Sequence, residues 1–333
     1  MYKRPLQGTA SSIEFACNVR LRTRLPQCRQ ITVSSRLTQR AQDPRVRDIG
    51  RQIKDDYASI REQYATPKYP VVLAHGLLGF SELQLLSILP TIHYWHGIRE
   101  ALTAQGTHVI TASVPPSSSI ADRAAKLADD IASQHDGPVN IIAHSMGGLD
   151  ARYMISNKAQ YKGALEVASL TTISTPHRGS PFADYVLNSS SAGILYLPRL
   201  YKVLERAGFG TQAFTQLTTG YMEGEFNEYV VDDAGVRYFS YGAVMDTPPL
   251  LSPFRVPQRI IERVEGVNDG LVSVESSRWG VYQGTLVGVN HMDLINWPNR
   301  VRWMVRGWMG KRRRFNAVAF YLGIADMLAK EGM

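Results

Sequence analysis

The stretch IIAHSMGGLD, residues 141–150, places a single serine between a short apolar run and two glycines. A nucleophilic serine at a sharp strand-to-helix turn has a strained backbone, and only small residues two positions before and after it leave room for the turn. Those positions are Ala143 and Gly147, around Ser145. Ala143 departs only mildly from the usual glycine. The stretch predicts a nucleophile elbow; an ordinary strand–loop–helix junction loosened by its glycines is the alternative.

A nucleophilic serine needs a base, and after an elbow of this kind the acid and then the histidine follow in chain order. Six of the eight histidines precede Ser145, which leaves His177 and His291. Between Ser145 and His177 the only acids are Asp150, on the helix behind the elbow, and Glu166, ahead of a predicted strand. His291 lies in GVNHMDLINW, after another predicted strand, so it is the base by elimination.

Two acids compete for the third position of the triad. Asp269 lies in GVNDGLV, a tight turn beside an apolar run, and Asp246 follows the fifth predicted strand. The turn at Asp269 could hold a carboxylate rigidly at the sheet edge, although Asp-Gly is also a common turn dipeptide. Whichever acid is used would fix the tautomer of His291 and stabilise the imidazolium as it forms.

An oxyanion hole completes such a site, and two backbone amides are candidates for it. One donor is the N–H after the nucleophile, here Met146, and the other comes from the loop after an early strand. HGLLG, residues 75–79, is that loop, and its glycines allow the N–H of Leu77 to point into the site. Each donor in such a hole is worth on the order of 10²–10³ in rate.

Apolar segments of strand length alternate with segments of helical periodicity. Residues 117–119 are expected to cap a helix, and GGLDARYMIS to form the helix after the elbow. This alternation predicts an α/β fold with a mostly parallel central sheet covered by helices on both faces. Before the first strand, apolar residues at helical spacing predict an amphipathic helix over residues 44–64. The predicted strands are Val71–Ala74, His108–Pro116, Val139–His144, Ser169–His177, Val236–Val244 and Thr285–His291.

The net charge of +8 is concentrated at the amino end. Residues 1–47 contain ten basic and two acidic residues, so the rest of the chain is neutral. Because the excess charge lies only at this end, the basic isoelectric point is no evidence for a nucleic-acid partner. Residues 1–45 are Arg-rich and acid-poor and lack a continuous apolar core, which is typical of a mitochondrial presequence; a disordered basic tail is the alternative. Both cysteines, Cys17 and Cys28, lie there, so a processed chain would have no disulfide, as suits a reducing compartment.

Residues 46–310 are assigned to the folded domain, with an insertion at about 181–227. The insertion is rich in leucine and aromatic residues, and residues 189–193 could serve as a hinge. It is interpreted as a helical lid that shields a pocket, with a fixed cap over the core as the alternative. Arg178 is expected to organise a loop by hydrogen bonds, and Asp150 and Arg152 to pair on the elbow helix or face solvent.

Residues 311–333 form a predicted carboxyl-terminal basic amphipathic helix. A cluster from Lys311 to Arg314 precedes apolar residues at roughly helical spacing. Attachment to an anionic membrane surface and packing on the domain are equally compatible with this pattern. No apolar run of the sequence reaches the roughly 18 residues that a spanning helix needs, which predicts a soluble or peripheral protein.

The motifs HGLLGF, YWHGIREAL, AHSMGGLDARY, STPHRGS, NDGLV and NHMDLINW follow one another as they do in the α/β-hydrolase triacylglycerol lipases. The chain resembles the bacterial true lipases and, more closely, a fungal mitochondrial triacylglycerol lipase family, over about residues 68–305. The resemblance implies an α/β-hydrolase fold and a serine esterase of long-chain acylglycerols. It also implies Ser145, Asp269 and His291 as the triad, with Leu77 and Met146 as oxyanion donors.

The resemblance also raises the question of calcium. The bacterial relatives bind a structural calcium ion, with one ligand two residues after the catalytic histidine, and Asp293 matches that position. Trp297 stands where a further side-chain oxygen ligand would be expected. An orienting or structural role is therefore favoured for Asp293, and no cofactor is expected.

The expected function is lipid degradation through an acyl-enzyme, with the substrate at a lipid–water interface such as a membrane or lipid-droplet surface. The leader points to the mitochondrion, with the cytoplasm or the lipid droplet as alternatives. A phospholipase or acyltransferase, or a short-chain carboxylesterase, would use the same triad. A catalytically silent binding protein is disfavoured because every catalytic position holds a chemically competent residue.

Overall fold

A computed structural model of the chain describes residues 49–77, 94–116, 118–161, 165–188, 211–250, 252–296 and 315–333. Within them a seven-stranded sheet has the strand order β1-β7-β6-β5-β4-β2-β3, and every neighbouring pair is parallel. The strands are β1 Gln52–Ile53, β2 Val71–Ala74, β3 Val109–Thr111, β4 Val139–His144, β5 Val167–Ile173, β6 Arg237–Val244 and β7 Val281–Val287.

Helices connect the strands. A π-helical turn, Met222–Phe226, joins α6 to α7, and short 3-10 turns lie at Lys158–Gln160 and Asp293–Ile295. The helices are α1 Ile98–Ala104, α2 Ile120–Ala132, α3 Gly147–Ser156, α4 Pro181–Asn188, α5 Thr211–Thr215, α6 Thr219–Tyr221, α7 Asn227–Tyr229, α8 Arg255–Val264, α9 Val274–Ser277 and α10 Ala317–Lys330. As predicted, Ser119 caps α2, because its hydroxyl accepts the N–H of Asp122 at 3.1 Å.

The sheet is buried on both faces. In β2, Val71 and Leu73 belong to one apolar cluster, whereas Val72 and Ala74 belong to another, because successive side chains point to opposite faces. The first cluster packs α1 and α10 against the sheet, and the second packs α2 and α3. The predicted architecture is confirmed, and the described strands are parallel throughout.

The predicted strands are confirmed, with changes at their ends. Val71–Ala74 and Val139–His144 are reproduced to the residue. The fourth strand stops at Ile173 because Ser174 has a left-handed backbone, with φ of 46°. The sixth occupies Val281–Val287 and stops where Gly288 has φ of 77°. The second is limited to Val109–Thr111, ahead of the prolines.

The helix predicted before the first strand is wrong within residues 49–64. Instead, the two residues of β1 extend the sheet by pairing with β7, and Ile53 is buried at that edge. Tyr57 packs edge-on against Phe320 with ring centroids 5.1 Å apart, and Ile60 is half exposed. The apolar spacing therefore reflects an irregular segment of turns and bends that touches the core at separate points.

The apolar side chains of the carboxyl-terminal segment pack on the domain. Phe315, Leu322, Ala325 and Leu328 are buried in the same cluster as the sheet, so this face is not available to a membrane. The basic residues 311–314 lie outside the described residues. Among the helices that the structure describes, none is both long and apolar enough to cross a bilayer.

Candidate active site

Ser145 occupies a strained turn between β4 and α3. Its φ is 56°, in the left-handed region that costs a non-glycine residue roughly 1–3 kcal/mol. The surroundings hold this conformation on both sides of the residue. The amide of Ser145 donates to the carbonyl of Ile173 at 3.0 Å, and its own carbonyl accepts the hydroxyl of Thr175 at 2.8 Å. The turn is therefore the elbow that the sequence predicts rather than an ordinary junction.

The glycines around the elbow allow two backbones to come close together. A Cβ on Gly147 would lie 2.7 Å from the carbonyl oxygens of Ala74 and His75, and one on Gly76 would lie 2.7 Å from the Cβ of Ser145. No real Cβ makes such contacts without backbone movement. The loop after β2 is therefore pressed directly against the elbow.

Asp269 and His291 form a buried pair. The Nδ1 of His291 lies 2.7 Å from the Oδ2 of Asp269, and both side chains are almost fully buried. The other carboxylate oxygen of Asp269 accepts the amides of Leu271 and Val272 at 2.9 and 2.8 Å. The carboxylate is thus held from two directions, and it retains the proton of His291 on Nδ1. The Nε2 of His291 is then the nitrogen that can act as a base.

The rival acid, Asp246, is not used in this way. Its carboxylate lies near Gly288, since a Cβ on that glycine would be 3.7 Å from the Oδ2 of Asp246. Within the described residues it makes no hydrogen bond to His291. The structure thus pairs His291 with Asp269, whose main-chain carbonyl also accepts the main-chain amide of His291 at 3.0 Å.

The pair lies beside the elbow. The ring of His291 is 4.5 Å, centroid to centroid, from the ring of His144, the residue before Ser145. Ser145 follows β4 and His291 follows β7, and the carboxyl ends of parallel strands meet at one edge of the sheet. This edge is where open α/β sheets bind their ligands.

The loop after β2 brings a second amide to the elbow. A Cβ on Gly76 would lie 3.2 Å from the amide nitrogen of Met146, so Gly76 and Met146 are neighbours. Among described residues, neither the N–H of Leu77 nor that of Met146 donates to a protein acceptor. Two adjacent uncommitted amides beside a serine can act as the donors of an oxyanion hole.

Comparison with known proteins agrees with this geometry. The chain is 35% identical to triacylglycerol lipase 2 of Saccharomyces cerevisiae, over 83% of this chain and 96% of the yeast protein. It is 30% identical to a triacylglycerol lipase of Vibrio cholerae, over 72% of this chain and 83% of that protein. The chain belongs to the α/β-hydrolase triacylglycerol lipases. It is an enzyme of the carboxylic ester hydrolase class.

Two further comparisons concern the fold of this lipase. Residues 91–192 match the PGAP1-like alpha/beta domain family. The solved structure of Staphylococcus hyicus lipase superposes with a TM-score of 0.56 at 20% identity, covering 82% of this chain and 98% of that one. At this identity the match supports the α/β-hydrolase fold.

A buried ion pair supports the loop after β2. Arg123 is fully buried, and its Nη2 lies 2.7 Å from the Oδ2 of Asp150 and donates to the carbonyl of His75 at 2.9 Å. Burial raises the pKa of Asp150 to about 6, and the charge of Arg123 opposes this rise. The expectation that Asp150 pairs with Arg152 or faces solvent is wrong. Its partner lies 27 residues earlier on α2.

Arg152 instead lies on the other side of α3 and joins three segments. Its Nη1 donates to the Oδ1 of Asn227 at 2.9 Å, and its guanidinium carbon lies 3.5 Å from the centroid of the Trp279 ring. The ring of His177 stacks on Trp279 at 5.0 Å. Burial lowers the pKa of Arg152 to about 10, which still leaves it charged at neutral pH. His177 thus belongs to a structural cluster, which agrees with its exclusion as the base.

Arg178 organises its loop as expected, donating from Nη1 to the carbonyls of Glu275 and Arg278 at 3.0 and 2.8 Å. These bonds hold the loop after β5 against α9. They lie beside the contacts that Arg152 makes with Asn227 and Trp279, near the end of the insertion at about residue 227.

The described parts of the insertion, residues 181–188 and 211–227, cover the elbow. Ala213, Leu217 and Met222 are buried in one apolar cluster with Met146. The insertion therefore packs on Met146, the residue that follows Ser145. The proposed hinge, residues 189–193, and the other apolar residues up to 210 lie outside the described residues.

Asp293 lies in the loop that carries His291. Its carboxylate accepts the amide of Asn290 at 3.2 Å, within a tight turn that follows β7. Calcium takes six to eight oxygen ligands, and the described residues contain no cluster of three or more acidic, histidine or cysteine side chains suited to a metal. Trp297 lies outside the described residues. The contacts fit a carboxylate that orders the His291 loop.

Proposed function

We propose that this lipase hydrolyses long-chain acylglycerol esters by a serine mechanism with an acyl-enzyme intermediate. The observation that carries the proposal is the strained Ser145, with φ of 56°, beside a buried Asp269–His291 pair. Strain of this kind persists only where the surrounding structure maintains it, and it is typical of functional sites. Beside this serine, the amides of Leu77 and Met146 donate to no acceptor among the described residues.

In the first half of the reaction, the Oγ of Ser145 attacks the ester carbonyl carbon and its proton passes to the Nε2 of His291. The amides of Leu77 and Met146 donate to the oxyanion that forms. His291 then gives the proton to the leaving alcohol oxygen as the C–O bond breaks. Asp269 stays ionised and stabilises the imidazolium.

In the second half, water attacks the acyl-enzyme while the Nε2 of His291 accepts its proton. Collapse of the tetrahedral intermediate returns that proton to Ser145 and releases the fatty acid. Each proton moves between groups already at the site, so the mechanism requires no cofactor. Asp293 takes no part beyond ordering the loop that carries His291.

The long-chain preference and the lipid partner rest on the insertion. Its described residues place an apolar cluster directly over Met146, where the acyl chain of a bound ester would need an apolar surface. A lid of this composition would expose apolar side chains when it opens at a lipid–water interface. A peripheral position on a membrane or lipid droplet follows, and no nucleic-acid partner is proposed.

The location of the lipase is proposed from its leader. The ten basic and two acidic residues of the first 47 favour import into the mitochondrion, with the cytoplasm or the lipid droplet as alternatives. A phospholipase or acyltransferase would use the same triad with a different headgroup or acceptor. A carboxylesterase would favour short soluble esters.

The test compares hydrolysis of an emulsified long-chain triacylglycerol with that of a soluble short-chain ester. Wild type is expected to prefer the emulsion, and Ser145→Ala to lose both activities by at least 10⁴-fold, on the scale seen when a triad member is removed. Ser174→Ala is the matched control, because Ser174 also has positive φ and a buried hydroxyl. Its rates should stay within about twofold of wild type. A tenfold change in rate would correspond to about 1.4 kcal/mol of activation free energy.

The outcomes separate the alternatives. Activity on the short ester alone, still abolished by Ser145→Ala, would indicate a carboxylesterase with a fixed cap. Equal rates for wild type and Ser145→Ala would rule out the serine mechanism. Release of fatty acid from a phospholipid in preference to triacylglycerol would favour the phospholipase alternative.

A further inference from the structure

Two buried aromatic residues connect the oxyanion loop to the strand that carries the nucleophile. The amide of Gly76 donates to the phenolic oxygen of Tyr94 at 3.2 Å, and that oxygen lies 2.7 Å from the Nδ1 of His144. Tyr94 and His144 are 5% and 1% exposed, so water does not compete for these bonds. Neither residue takes part in the proton transfers described above.

The direction of these hydrogen bonds follows from counting donors and acceptors. Burial raises the pKa of Tyr94 and lowers that of His144 well below its usual value, so both side chains are neutral. The oxygen of Tyr94 accepts the Gly76 amide, and its own hydrogen needs an acceptor. The Nδ1 of His144 is the acceptor within reach, which places the hydrogen of His144 on Nε2.

The ring that carries this second nitrogen lies beside His291. The Nε2 of His144 is fully buried and makes no hydrogen bond to a described residue within normal distance and angle limits. The ring of His144 is 4.5 Å from that of His291. Burial and the His291 ring lower the pKa of His144, whereas the main-chain carbonyl of His291 opposes this shift.

We propose that Tyr94 and His144 are positioning residues that fix the oxyanion loop and the His291 loop relative to each other across Ser145. Gly76 is held through Tyr94, and the His291 loop is held through its contact with the ring of His144. The role rests on the proposed serine mechanism, because it concerns the alignment of that site. It assigns no proton transfer to either residue.

The neutrality of His144 is part of this role. An imidazolium forms on His291 in each half-reaction, and a second positive charge 4.5 Å away would oppose it. A neutral histidine supplies one acceptor and one donor at opposite ends of a rigid ring. It can therefore contact two loops without adding charge to the site.

The test uses three variants and the soluble short-chain ester, with active sites counted by titration with a chromogenic phosphonate. Tyr94→Phe removes only the hydroxyl, and kcat is expected to fall about tenfold while KM stays within twofold, because misalignment affects the transition state. Tyr321→Phe is the matched control. Tyr321 lies in the same apolar cluster, fully buried, and its hydroxyl has no partner among described residues.

The role of His144 is tested in the same assay. His144→Phe removes both nitrogens and should lower kcat at least as much as Tyr94→Phe. His144→Asn keeps an acceptor near the position of Nδ1 and should recover part of the loss. In the His144→Phe background, Tyr94→Phe should have less than a threefold further effect, because the two residues act through one chain of contacts.

Several outcomes would overturn the proposal. An unchanged kcat for Tyr94→Phe would do so, as would equal losses in Tyr94→Phe and Tyr321→Phe, or full additivity of Tyr94→Phe and His144→Phe. Titration against phosphonate counts only competent sites, so a partly unfolded variant still gives a usable kcat. If Ser145→Ala retains activity, the serine mechanism itself fails. If Ser145→Ala is inactive and Tyr94→Phe is normal, only the positioning role fails.

Discussion

At the scale of single residues, the elbow depends on close backbone contacts that leave no room for a side chain. Gly147 is the clearest case, since a Cβ there would meet two carbonyl oxygens at 2.7 Å. Backbone atoms cannot rotate away as a flexible side chain can. The conformation of Ser145 therefore follows from its neighbours, and the pentapeptide around it carries most of the information.

Gly147→Ala is accordingly expected to lower the free energy of unfolding by about 3 kcal/mol or more, because overpacking here displaces backbone. Gly220→Ala is the matched control, since nothing lies within 4 Å of a Cβ at this exposed helical position. It should change stability by less than about 1 kcal/mol, in the stabilising direction. Urea unfolding of both variants measures the difference, and similar values would contradict the steric argument.

The acid of the triad gives a second prediction at this scale. Asp269→Asn should lower kcat on a soluble ester by about 10³–10⁴, because an amide no longer holds the tautomer of His291 or stabilises its imidazolium. Asp246→Asn should leave kcat within about twofold, a difference worth less than half a kcal/mol in activation free energy. A large loss in Asp246→Asn with a small one in Asp269→Asn would reverse the assignment.

At the scale of secondary-structure elements, the segment before β2 shows where sequence patterns fail. Ile53, Tyr57 and Ile60 recur at helical spacing, yet beyond β1 the segment consists of turns and bends that contact α10. A strand of two residues carries too little periodicity to be recognised, and its pairing with β7 is fixed by residues far along the chain. The longer strands were predictable because each carries its own apolar run.

Asp326, on α10, is the main polar anchor of that segment. Its carboxylate accepts the amide of Ala65 and the guanidinium of Arg61, both at 2.9 Å, and the ammonium of Lys330 at 2.8 Å. Burial alone would raise the pKa of Asp326, but these donors lower it to about 2. A carboxyl group whose pKa is lower in the folded state than in the unfolded state stabilises the fold at pH values above the unfolded-state pKa. This stabilisation is lost as the pH falls towards 2.

Asp326→Asn should therefore lower the free energy of unfolding by about 1–2 kcal/mol at pH 7. The difference from wild type should narrow as the pH falls from about 4 towards 2, because wild type then loses the same charge. Asp55→Asn, at an exposed position of the same segment, serves as the control. A gap between Asp326→Asn and wild type that stays constant with pH would contradict an electrostatic role.

At the scale of the whole molecule, the sequence predicted the sheet, the elbow and the order of the chemistry-bearing residues, but few of their supports. Local patterns reveal Ser145 and its loop, whereas the Arg123–Asp150 pair and the Tyr94–His144 contact join residues 27 and 50 positions apart. For the latter, the sequence shows only a histidine next to Ser145, and its burial becomes visible in the structure. Such contacts depend on packing that no local window contains.

The two ends of the described chain also meet, which no local pattern indicated. The amide of Lys68 donates to the carbonyl of Met333 at 2.5 Å, and the amide of Asn316 donates to that of Tyr57 at 2.8 Å. A Cβ on Gly323 would lie 2.5 Å from the ring of Tyr57, so the ring fills a groove on α10. Residues 49–66 are therefore part of the folded unit, although they precede β2.

Two shortened chains test where the leader ends and the folded unit begins. A chain beginning at Asp48 should keep the cooperative unfolding and soluble-ester activity of the full chain, because β1 and Tyr57 are retained. One beginning at Pro67 should aggregate or melt at least 10 °C lower, since it loses the β7 edge partner and leaves a groove whose filling by Tyr57 is worth about 3–5 kcal/mol. Circular dichroism melts and ester hydrolysis distinguish them. Equal melting temperatures would show that residues 48–66 are dispensable. An unfolded Asp48 chain would show that the basic leader belongs to the fold, which would contradict its interpretation as a presequence.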